Sequence, residues 1–179
     1  MRRNAQKLFS TKIGQLIIDP QAIDIGKEDR ARYDSLLVIQ KNGEPAEMVD
    51  FLFLAEGYTS QELGEFSEDA RRLAEQLFSI EPYKTYRSKF NVTVVFSASK
   101  DSGVDDPEQG VFKNTMMNFS YNTFGSQRYM MSFDGKNIND LASAVPFDAL
   151  VIIVNSKLYG GGGIFNLYTS LAADDKVSN

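Results

Sequence analysis

Cysteine is absent from the 179 residues. No disulfide, thiol nucleophile or thiolate-held metal can be built from this chain. Histidine is absent as well, and this is the more restrictive gap. It excludes a Ser-His-Asp triad, a histidine general base and a histidine-ligated zinc made from these residues alone. Positive charge is in deficit, with 19 Lys plus Arg against 24 Asp plus Glu and a net charge of -5. Such a surface repels phosphate backbones, so a nucleic-acid partner is not expected. No apolar stretch is long enough to span a membrane. The start, "MRRNAQKLFS", is basic, but no apolar core region follows it, so no signal peptide is read there.

What remains is a chain with 42% hydrophobic residues, enough for one domain with a real core. Residues 1–33 mix charge with short apolar pieces and suit irregular or edge structure. "SLLVIQ" (35–40) reads as a strand, and Asn42-Gly43 after it is a turn signal. "MVDFLFLAEG" (48–57) is almost wholly apolar, as a strand buried on both faces would be. Thr59 and Glu62 then have capping-box spacing. Leu63, Phe66, Ala70, Leu73, Ala74, Leu77 and Phe78 recur on one helical face. Glu81 precedes Pro82, which predicts the end of that helix. "FNVTVVFSAS" (90–99) alternates and is β-branched, so it reads as a strand. The stretch 100–135 is long and turn-rich, "NINDLASA" (137–144) suits a short helix and "FDALVIIVN" (147–155) another buried strand. Strand, helix and strand at this spacing form a βαβ unit, so the fold class is α/β with a mostly parallel sheet.

The four consecutive glycines in "SKLYGGGGIFNLYTS" (156–170) are the most conspicuous local feature. A phosphate loop would end in Gly-Lys-Ser/Thr, but Ile164 follows the last glycine and Lys157 lies on the wrong side. A dinucleotide fingerprint would need its third glycine at Phe165 or Asn166. A nucleotide-binding α/β domain is therefore the weakest reading. After the glycines, Ile164, Leu167, Tyr168 and Leu171 fit a helix face, while Phe165, Leu167, Thr169 and Leu171 fit a strand face. An exposed strand there would accept an extended peptide, and a plain surface turn is the bland alternative.

Other candidates have bland counterparts too. Asp101, Asp105, Asp106 and Glu108 surround Gly103, and oxygen-rich loops can hold calcium. The EF-hand spacing is missing, which favours a solvated acidic turn. Glu56 lies at a strand's carboxyl end, where α/β sheets expose functional groups. Its blander role is to accept hydrogen bonds from nearby backbone N–H groups. Arg128 reads as an anchoring ion pair and Tyr129 as a packing residue.

Several blocks together resemble the bacterial IgA peptidase family. They are "FLAEGYT", "LFSIEPYKTYRSKFNV", "SASKDSGVDDP", "KNTMMNFSYNTFGSQRY", "ASAVPFDALVIIVN" and "YGGGGIFNLY", spread in order from about Asp50 to Ala173. The resemblance implies a metzincin-like zinc endopeptidase with a zincin-like twisted sheet, crossover helices and an antiparallel edge strand. It implies that residues 1–45 end an N-terminal β-rich region or linker and that 46–179 begin the catalytic domain. The family's zinc helix, with H-E-x-x-H, would fall shortly after "SLAADDKVSN". The lack of histidine is then expected to reflect truncation, with no catalytic residue in this chain. By the same resemblance, Tyr159, Gly160, Gly161, Gly162, Gly163, Ile164, Phe165 and Asn166 border the substrate cleft as loop and antiparallel edge strand. The implied substrate is a protein or peptide, the implied location is outside a bacterial cytoplasm, and zinc is the implied cofactor of the whole protein. A sheet deprived of its following helix is expected to expose apolar surface and self-associate. The competing class is a non-catalytic domain that captures peptides or glycoproteins.

Overall fold

The computed structural model describes residues 33–160 and the strand backbone of residues 170–172. Five strands form one sheet in the order β1-β3-β2-β4-β5. They are β1 (Ser35–Gln40), β2 (Val49–Glu56), β3 (Phe90–Phe96), β4 (Ala149–Val154) and β5 (Ser170–Ala172). β2 runs parallel to both β3 and β4, and β5 runs parallel to β4. β1 is the antiparallel edge, paired with β3 from Ser35↔Phe96 to Gln40↔Val92. The mostly parallel α/β sheet with an antiparallel edge strand is thus present.

Two details sharpen the sequence reading. The chain bends at Gly43 and turns at residues 45–47, and it closes no hairpin, because β3 lies between β1 and β2. Asn91 holds the bend at Asn42 and Gly43. Its Oδ1 accepts from the Asn42 N–H at 2.7 Å, and its Nδ2 donates to Asp50 at 2.9 Å. Helix α1 (Leu63–Leu77) ends before the Glu81-Pro82 step. The Phe78 N–H still bonds Ala74 O, but Ser79 N–H turns to Gln76 O, tightening the last turn.

Alternation along β2 sends side chains to two separate cores. Leu52 and Leu54 join Val95, Ile152 and Val154 on one face. Phe53 and Ala55 join Val94, Phe96 and Ile153 on the other. Helix α1 covers the second face through Phe66, Ala70, Leu73 and Ala74, joined by Phe78 just past its end. Leu63, assigned to the same stripe by periodicity, is exposed in the first turn. The first face is covered by α2 (Gly135–Ala142), through Ile138, Leu141 and Ala142, and by the long excursion before it. That excursion has little regular structure, yet Val104, Met117, Phe119, Tyr121 and Met130 are all buried. The central strands are covered along most of their length, with Val49 at the start of β2 exposed. Exposed apolar side chains also occur on β1, at Leu36 and Val38, and in the excursion, at Phe112, Phe124 and Phe133.

Candidate functional site

Because β2, β3 and β4 are parallel, their carboxyl ends share one rim. Glu56 is the last residue of β2 and is fully buried. Its Oε1 accepts from the Thr115 hydroxyl at 2.6 Å and the Phe119 N–H at 2.9 Å. Its Oε2 accepts from the Met117 N–H at 2.9 Å. Burial pushes the carboxyl above its ordinary range, while the donors from Phe119, Thr115, Met117 and Gly57 pull the other way. Glu56 is thus an interior anchor for the excursion and not an exposed acid, the blander of its two expected roles. Nothing in local sequence marks its donors, which lie about sixty residues downstream.

The next residue, Gly57, has φ +73, and a Cβ there would lie 2.5 Å from Gly103 O. Only glycine permits that approach, which lets Gly103 N–H reach Gly57 O at 2.8 Å. Glu62 completes this part of the rim. Its carboxylate accepts from the Thr59 N–H and hydroxyl, from Ser102 and from Asn155 at the end of β4. Partial burial pushes its carboxyl up, but these donors outweigh that and hold it below the usual range. Loops after three strands are thereby tied together by one carboxylate.

Beyond Asn155 the chain enters the glycine segment. The Tyr121 hydroxyl lies 2.7 Å from Ser156 Oγ and donates to Leu158 O at 2.7 Å. Gly160 is buried directly above the same ring. A Cβ on it would lie 2.5 Å from Tyr121 Cε1 and 3.0 Å from Met130 Cβ. The first glycine is therefore required by packing, a role that a loop reading does not suggest. Tyr159 beside it is exposed, and the Arg128 guanidinium lies over its ring, 5.8 Å from the centroid. Gln127, Arg128, Leu158 and Tyr159 line an open cavity of about 520 Å³. Of the expected cleft residues, Tyr159 and Gly160 are thus placed. Gly161, Gly162, Gly163, Ile164, Phe165 and Asn166 lie outside the described residues. Helix and strand were both open after the glycines, and Ser170–Ala172 is a strand parallel to β4.

The acidic loop is organised by its own donors. Asp101 accepts from Asn114 N–H at 2.7 Å, Asp105 from Lys113 N–H at 2.5 Å and Asp106 from Asn122 Nδ2 at 3.1 Å. Arg128 does not form the expected anchoring ion pair with any described residue. Tyr129 is half-buried, and its backbone closes a turn with Thr123 and Ser126. Among the described residues no three His, Cys, Asp or Glu side chains group as metal ligands would. With no histidine or cysteine anywhere in the chain, the residues present do not fit a zinc ion.

The parallel strands, their covering helices and the shared rim define a mixed α/β domain. Residues 37–179 match the family model described as IgA Peptidase M64, and the chain belongs to this peptidase family. No curated protein matches the chain. No helix among the described residues is long and apolar enough to cross a membrane.

Proposed function

We propose that this chain supplies the scaffold and one cleft wall of a zinc-dependent endopeptidase acting on extended protein substrates outside a bacterial cytoplasm. The observation that carries this reading is the family match across 37–179. Tyr159 to Asn166 would form the wall, offering backbone N–H and C=O groups to a peptide. Main-chain pairing of that kind supplies affinity with little sequence preference. A backbone without Cβ atoms lets two chains approach closely, which suits the run Gly160–Gly163.

The zinc ligands and the general base are assigned to polypeptide outside these 179 residues, since this chain has no histidine. The decisive experiment is to read the coding sequence beyond Asn179 and to assay its product. An H-E-x-x-H motif, bound zinc and proteolysis abolished by a chelator are expected. A coding sequence lacking the motif would overturn the enzyme reading. That result would favour the second reading, a peptide- or glycoprotein-capturing domain, which the absence of histidine motivates.

A further inference from the structure

Several cations of this acidic chain are neutralised where the structure describes them. Lys41, Arg72, Arg87 and Lys136 each pair with a carboxylate. Arg128 has no carboxylate partner among the described residues. It is exposed, and its guanidinium lies over the Tyr159 ring at the mouth of the 520 Å³ cavity.

The turn that presents Arg128 is firmly made. Asn122, Phe124 and Gly125 all have positive φ, at 61, 58 and 71. For a bulky aromatic such as Phe124 that conformation is uncommon and persists only when its surroundings impose it. The constraints are visible. Gly125 N–H bonds Asn122 O, Tyr129 N–H bonds Ser126 O and Thr123 N–H bonds Tyr129 O. Asn122 Nδ2 donates to Asp106. Tyr121, at the foot of this turn, also braces Leu158. Tyr121 thus links the start of this turn to Leu158, which lines the same cavity.

A guanidinium near an aromatic ring, with no carboxylate partner, keeps N–H groups for an acceptor. A carboxylate matches those groups with two parallel hydrogen bonds. We propose that Arg128 binds a carboxylate of the substrate peptide, so that the cleft prefers acidic ligands. This rests on the peptide-cleft reading above. The carboxylate can belong to an Asp or Glu side chain or to the peptide's C-terminus.

The test uses the 179-residue chain and three fluorescent decapeptides read by anisotropy. One is neutral and amidated, one carries a single central Glu and is amidated, and one is neutral with a free C-terminus. One of the two carboxylate peptides should bind on the order of tenfold tighter than the neutral one, the scale of one charge-assisted hydrogen-bonded contact. Which of them does so identifies the source of the carboxylate. Arg128→Gln should erase the difference, and Arg128→Lys should keep only part of it. Lys157→Gln, which removes a nearby exposed charge, should leave it intact. Equal binding of all three peptides, or a preference that survives Arg128→Gln, would overturn the inference and leave the cleft reading standing. Failure of every peptide to bind would overturn the cleft reading and this inference with it.

Discussion

At the scale of single residues, Gly160 and Glu56 hold the rim in opposite ways, one by having no side chain and the other by burying one. Gly160→Ala would set a methyl 2.5 Å from Tyr121 Cε1. The ring must then shift and strain its bonds to Ser156 and Leu158. The expected loss is about 1–3 kcal/mol of stability, typical of overpacking. A urea titration would show it, and an unchanged midpoint would contradict the packing. Glu56 carries a pH signature. Its folded-state pKa lies above the ordinary value of 4.5 because burial opposes the charge. Below that value both folded and unfolded chains hold the proton, and the group's contribution is fully present. As pH rises, the unfolded chain releases the proton first, so the contribution is lost through the folded value. Glu56→Gln should flatten this part of the stability profile. It should also cost on the order of 1–3 kcal/mol, because an amide NH₂ replaces one acceptor. Melting curves at several pH values on both proteins would reveal either effect, and parallel profiles would refute the first. The strand-end place of Glu56 pointed to an exposed functional group, and the acceptor role was only its bland alternative. Its partners were not legible, because hydrogen bonds spanning 59 to 63 residues leave no local pattern.

At the scale of elements, β1 to β4 and both helices were legible because alternation and helical periodicity are local signals. The exact bounds of β1, residues 35–40, follow from a run flanked by turn residues. Sheet order was not legible, since which strand inserts beside β1 depends on contacts across some fifty residues. Asn91, reaching from β3 to Asn42 and Asp50, is one such contact. The excursion between β3 and α2 was read as turn-rich, which is correct for its backbone. Its buried side chains escaped notice because they follow neither a two- nor a 3.6-residue period. This yields a prediction for that element. The amides of Met117 and Phe119 lie outside any strand or helix, yet they donate to a buried carboxylate. Their hydrogen exchange should be as slow as that of central β2 amides, and faster in Glu56→Gln. Rapid exchange of both in the parent chain would mean that the excursion opens independently of the sheet.

At the scale of the whole molecule, scaffold and metal chemistry are separable on the family reading. Zinc added to the 179-residue chain should leave its melting temperature unchanged, because no histidine or cysteine is available to bind it preferentially in the folded state. A rise of several degrees would reveal a site made from other ligands. The strand order has one more consequence, and it concerns synthesis. β2, the central strand, precedes both of its neighbours in the sequence. Its Asp50 N–H awaits Asp148, 98 residues further on. At ~5–20 residues per second that interval is roughly 5–20 s. Throughout it, the nascent apolar run Val49–Glu56 lacks its second partner and its cover of β4-side residues. A chain leaving the ribosome therefore carries an aggregation hazard that a chain refolding from urea, with all its strands present at once, does not.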